Sequence, residues 1–95
     1  MATAAAAATD VRVVGARVGA LFEEHGRMIY GLCRLLLRGG VEAEDAAQET
    51  FLSAQRSLLA GNEPRDAAAW LAAIARNECR ARIREHMRAP LELVD

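Results

Sequence analysis

The sequence contains no lysine: all twelve of its basic residues are arginine. Aromatics are almost as scarce, with two phenylalanines, one tyrosine and one tryptophan in 95 residues. β-Branched residues are few, and no stretch alternates apolar and polar over several positions, which excludes a sheet. The two cysteines, Cys33 and Cys79, have no close spacing, and His25 and His86 complete no ligand set. That excludes a zinc module and leaves no metal site to propose. No apolar run approaches the length of a bilayer span, so membrane insertion is not expected. The opening MATAAAAATD lacks the basic and leucine-rich segments of a signal peptide and reads as a disordered leader over 1–10. Paired carboxylates with a partner base, a phosphate loop and a nucleophile constellation are all missing, so the chain is not read as an enzyme and needs no cofactor.

Much of the 53% hydrophobic content is alanine. Alanine favours helix but contributes little buried area per residue. The core is therefore expected to rest on a few large side chains: Leu21, Phe22, Met28, Ile29, Leu32, Leu36, Phe51, Leu58, Trp70, Leu71, Ile74 and Ile83. One small domain of limited stability is the expectation. Cys33 and Cys79 each fall in an apolar helical pattern and read as reduced, buried thiols of a cytosolic protein.

The formal net charge of −1 conceals a polarity. Residues 41–63 hold Glu42, Glu44, Asp45, Glu49 and Glu63 against Arg56 alone, a net of −4. Residues 65–88 hold six arginines against three acids, a net of +3. Two faces for two kinds of partner are the natural reading.

Punctuation along the chain predicts a small all-α bundle of three to four helices. Asp10 can cap a first helix whose apolar face carries Val11, Val14, Val18, Leu21 and Phe22. Gly26 is expected to break or bend it. A segment over 27–38 follows and ends at Gly39-Gly40. The next helix runs from about 42 to 59. AGNEPRD is a loop, with Gly61, Asn62 and Pro64 as its turn formers. Asp66 caps a last helix reaching about residue 88, where Pro90 stops it. A domain over 11–89 results, with 90–95 as the start of a linker.

Two helices carry more than core. In VEAEDAAQETFLSAQRSL, residues 41–58, the positions Asp45, Gln48, Glu49, Leu52 and Arg56 share one face, whereas Ala47, Phe51, Ala54 and Leu58 share another. In the last helix, Leu71, Ala75, Cys79, Ile83 and Met87 form an apolar row. Arg76, Arg80, Arg84 and Arg88 form the adjacent row, one guanidinium per about 6 Å of rise. Such a ladder suits a chain of phosphates, although by pattern alone it fits a solvated face somewhat better. Trp70 fits core or half-core better than a contact role.

AEDAAQETFLSAQRSL, a short loop, and then AWLAAIARNECRARIR together resemble region two of a bacterial sigma factor of the extracytoplasmic-function group. The matching positions are Ala43-Glu44-Asp45, Gln48-Glu49 with Phe51, Ala54 with Arg56, Trp70-Leu71, and Ile74-Ala75-Arg76-Asn77. LFEEHGRMIYGLCRLLL resembles the preceding helices, and the likeness covers roughly 18–88. Where that family usually carries aromatics, this chain has Gln55, Gly61 and Ala67.

The resemblance implies a promoter-recognition domain of an alternative sigma factor that acts in transcription initiation in the cytoplasm. Its acidic helix would dock on the clamp coiled coil of the beta-prime subunit of core RNA polymerase, through Asp45, Gln48, Glu49, Leu52 and Arg56. The loop and last helix would engage promoter DNA, the minus-ten element and opened non-template strand, through Asn62, Arg65, Arg76, Asn77, Arg80, Arg84 and Arg88. An anti-sigma protein is the further expected partner. A reading of another class stands beside it: a sigma-like decoy that binds an anti-sigma protein without touching DNA.

Overall fold

The computed structural model describes the backbone over residues 9–94 and side chains over 9–88. The expected leader therefore lies almost wholly outside the described residues. Three helices form the molecule: α1, Val11–Leu36; α2, Gly40–Leu59; and α3, Ala67–Val94. There is no strand among the described residues. None of the helices is long and apolar enough to cross a membrane among those residues.

Both expected caps form. The Asp10 carboxylate accepts from Arg12 N–H at 2.9 Å, and Asp66 accepts from Ala69 N–H at 3.1 Å. Each satisfies an amide that the first helical turn leaves without an intrahelical acceptor. α1 ends at Leu36, and the Leu37 N–H closes the last turn on Cys33 O at 2.8 Å. Gly39 then begins α2 from an extended conformation, without a side-chain cap.

Two expected helix breaks do not occur. α1 runs unbroken through Gly26. Glycine in a helix interior costs only about 1 kcal/mol relative to alanine, and buried residues on both sides, Leu21 and Ile29, hold α1 to its neighbours. α3 likewise continues past Pro90 to Val94. A proline removes one N–H from the ladder, and the turns on either side carry the helix across it.

The core differs from its expected composition. Val14, Leu21, Ile29 and Cys33 of α1 meet Ala43, Ala46, Ala47, Phe51, Ala54 and Leu58 of α2, and Leu71, Ala75 and Cys79 of α3. Leu32, Trp70 and Ile74 pack against this cluster half-buried. Val11, Phe22, Met28, Leu36 and Ile83, expected inside, are exposed. Met28 falls to one side of the single stripe that an unbroken α1 presents. Val11 occupies the first turn of α1. Phe22 lies at the margin and touches Phe51 edge to face, with centroids 5.2 Å apart. Leu36, Ile83 and Met87 line an open groove with Leu37, Arg38, Glu42 and His86, where α3 runs on past the α1–α2 turn. His86 Nε2 lies 2.7 Å from Glu42 Oε1 and ties α3 to the first turn of α2 there.

The two cysteines, 46 positions apart in sequence, meet as free thiols in the interior. Burial pushes the Cys33 thiol up to about 12, and its hydrogen bond with Cys79 adds to that. Cys79 is also raised, chiefly by burial. Near neutral pH both are protonated, and the reactive thiolate is suppressed.

Two outcomes test this packing. Gly26→Ala is expected to raise stability by about 0.5–1 kcal/mol, because an added Cβ meets only the Phe22 ring, at an ordinary 3.6 Å. A fall in the urea midpoint would mean that the methyl disturbs the Phe22–Phe51 contact. Against a coloured thiol-exchange reagent near neutral pH, the folded chain is expected to release almost no signal, and both thiols should react once urea unfolds it. Prompt reaction of the native protein would contradict the buried pair.

Candidate functional site

α2 divides its circumference sharply. Ala43, Ala46 and Ala54 are fully enclosed, and the Thr50 hydroxyl, also enclosed, donates to Ala46 O at 2.8 Å. That bond satisfies the one buried polar side chain of the described residues without any outside partner. On the other side Asp45, Gln48, Leu52 and Arg56 are exposed and Glu49 is half-buried. The five residues grouped by helical spacing therefore do share an accessible face. Within it, Arg56 Nη2 donates to Glu49 Oε1 at 2.8 Å and to Ser53 Oγ at 3.1 Å. Glu44 and Asp45 make no ion pair among the described residues. Leu52, 48% exposed, places an apolar side chain amid these charges.

The loop after α2 starts with a regular helix-ending device. Gly61 N–H donates to Leu58 O at 3.0 Å and Asn62 N–H to Ser57 O at 3.1 Å, the paired closure of a Schellman motif. It requires Gly61 at φ +93°, a left-handed conformation in which an aromatic side chain would be strained. This is a physical reason for glycine at one of the positions where an aromatic was expected. Asn62, expected to face DNA, spends its side chain locally by donating to Ser57 Oγ at 3.2 Å. Arg65 is exposed and forms no ion pair among the described residues.

Glu63 reaches across to α1. Arg17 Nη1 donates to one of its carboxylate oxygens at 2.6 Å, and Arg17 Nη2 donates to the other. This hydrogen bonding holds the Glu63 carboxyl below the ordinary carboxylate range and raises Arg17. Sequence reading missed the pair, since no periodicity links residues 46 positions apart.

On α3, Arg76, Asn77, Arg80, Arg84 and Arg88 are all exposed. Arg76, Arg80 and Arg84 have no acidic partner among the described residues, whereas Arg88 donates to Glu85 at 3.2 Å. Arg82 lies off the row, half-buried, and pairs with Glu78 at 3.0 Å. Because four residues slightly exceed one turn, the row winds gradually around the helix. The arrangement offers two unlike surfaces: an acidic, partly apolar face on α2, and guanidiniums on α3 beside an ordered loop.

The sigma-70 region 2 family model matches residues 21–89. Over 77 residues the chain is 43% identical to the ECF RNA polymerase sigma factor SigM of Mycobacterium tuberculosis, covering 76% of this chain and 38% of that protein. Over 59 residues it is 39% identical to the ECF RNA polymerase sigma factor SigL of the same organism, covering 61% of this chain and 33% of that protein. The chain thus spans well under half the length of these curated relatives. No solved structure matches it.

Proposed function

The chain belongs to the sigma-70 region 2 family, as a domain of an extracytoplasmic-function alternative sigma factor, and from that premise we propose that α2 docks it on core RNA polymerase while the loop and α3 engage promoter DNA. One observation carries the docking half. Glu44 and Asp45 stand in water opposite a buried alanine face and make no ion pair among the described residues, so they serve no internal packing role. An arginine-rich coiled coil, such as the clamp helices of the beta-prime subunit, would meet Asp45, Gln48 and Glu49 with charge-assisted bonds. Leu52 would be desolvated at the centre and Arg56 would hold Glu49 in place. Bond chemistry belongs to the polymerase, and the site of action is the cytoplasm.

The DNA half rests on the guanidiniums of Arg76, Arg80 and Arg84, which have no acidic partner among the described residues, with Arg88, Asn77, Asn62 and Arg65 around them. Phosphate contacts by the α3 row set position and register and carry no base information directly, so base choice falls to the loop and Arg65. An anti-sigma protein covering Leu52 and α3 would compete with both partners. The decoy reading draws on one feature: the loop over 60–66 has no aromatic on which a base could stack.

For docking, Asp45→Arg and Glu49→Arg in the full-length protein are each expected to weaken core binding about 10- to 100-fold, the range for a charged hydrogen bond. Helical circular dichroism should not change. Unaltered binding of the double variant would overturn the assignment, and capture of an anti-sigma protein with no affinity for core would favour the decoy. For DNA, Arg80→Ala and Arg84→Ala are expected to weaken promoter opening by a similar factor at every promoter. Each should also flatten the salt slope by roughly 0.7, the value per single-strand phosphate contact. Opening that keeps its rate and salt slope would reduce the row to a solvated face.

A further inference from the structure

We propose that Arg17 is a positioning residue for the loop over 60–66, acting through Glu63, and that this clamp fixes the presentation of Arg65 to DNA. The consequence for DNA rests on the promoter reading above; the clamp itself does not.

Three devices order the loop. Its start is closed by the Gly61 and Asn62 amides on Leu58 and Ser57. Its end is closed by the Asp66 cap. Between them only Pro64 is as much as half-buried, and Asn62, Glu63 and Arg65 are exposed. The middle of the loop therefore has almost no apolar anchorage, and the Arg17–Glu63 fork supplies its tie to the bundle. A fork with two N–H donors on two carboxylate oxygens fixes direction as well as distance, which a single contact does not. Arg65 lies two residues beyond Glu63. Asn62, on the other side, is already committed to Ser57. Arg65 is thus the polar side chain of this segment whose direction the clamp leaves available to a ligand.

The same pair also solves a charge problem. A bare carboxylate beside Arg65 would repel a phosphate backbone, and Arg17 neutralises it. Removing either partner therefore has two separable effects. Arg17→Gln frees a negative charge and Glu63→Gln frees a positive one, so overall DNA affinity should move in opposite directions. Loop order should fall in both. A solvent-facing pair contributes little to global stability, so neither variant should shift the melting transition much.

Two measurements decide it. In this chain, amide exchange at Gly61 and Asn62 should accelerate roughly 2- to 5-fold in Arg17→Gln and Glu63→Gln, the range an exposed pair sustains. It should return toward the original rate in the swapped double variant, Arg17→Glu with Glu63→Arg. In full-length protein with core polymerase, discrimination among minus-ten bases should relax in both single variants and recover in the swap. Affinity for DNA should fall in Arg17→Gln and rise in Glu63→Gln. Unchanged exchange overturns the clamp. Faster exchange with unaltered base discrimination overturns its role in positioning. If the original protein binds core yet opens no promoter, the promoter reading falls together with the role at DNA, and the exchange result still decides the clamp.

Discussion

Everything in this molecule depends on how closely α2 lies against its two neighbours. Its inward positions include Ala43, Ala46 and Ala54, all without exposure, and α3 answers with Ala75, also enclosed. A methyl side chain supplies little transfer free energy by itself, about 0.8 kcal/mol per buried carbon on the usual scale. What it permits is proximity. Backbones separated by alanine come close enough for larger residues beside them, Phe51, Leu58, Ile29 and Leu71, to fill the space at interior density. A bulky side chain at Ala46 or Ala54 would force the helices apart, and the overpacked core would lose the contacts that surround it.

That narrow buried face explains the surfaces. A helix held by small residues uses only part of its circumference for packing, and the remainder of α2 is free to carry Asp45, Gln48 and Leu52 without conflict. Glu49 and Arg56 satisfy one another at the edge of that face, and Glu44 and Asp45 to their N-terminal side make no ion pair among the described residues. α3 makes the complementary choice. Its enclosed residues, Leu71, Ala75 and Cys79, occupy the first half, and beyond them the apolar row emerges at Ile83 and Met87. The second half is packed less deeply, tied to α2 by the His86–Glu42 contact, and Arg84 and Arg88 along it face solvent whereas Arg82 pairs with Glu78. An acidic surface and a basic one on separate helices keep opposite charges from cancelling.

Order in the intervening loop has a different origin. No large apolar residue anchors it. Its shape comes from hydrogen bonds: the glycine-dependent closure at Gly61, the Asn62–Ser57 contact, the Asp66 cap and the fork between Arg17 and Glu63. Such a loop is ordered locally and is only weakly coupled to global stability, because each of these bonds is exchanged against water. An aromatic in this segment would supply apolar anchorage, and this chain has none there. Its ion pair to α1 ties the segment to the bundle, and its exposed side chains Asn62, Glu63 and Arg65 are polar.

Much of this was legible in the chain itself. The helical class, the caps at Asp10 and Asp66, the buried face of Ala47, Phe51, Ala54 and Leu58, and the exposed face opposite it all follow from local chemistry and a period of 3.6 residues. So does the family, since region-two motifs recur in order at fixed spacing. Other features were fixed only when the helices packed. Continuity of α1 through Gly26 depends on neighbours that hold both sides of the glycine, and its local cost says nothing of them. Exposure of Leu36 and Ile83 depends on where one helix outruns another, whereas periodicity assigns them to the core. Cys33 meeting Cys79, and Arg17 grasping Glu63, join residues 46 positions apart in each case. No pattern within a single helix encodes them, because a side-chain pair between elements is set by the angle and offset at which those elements meet.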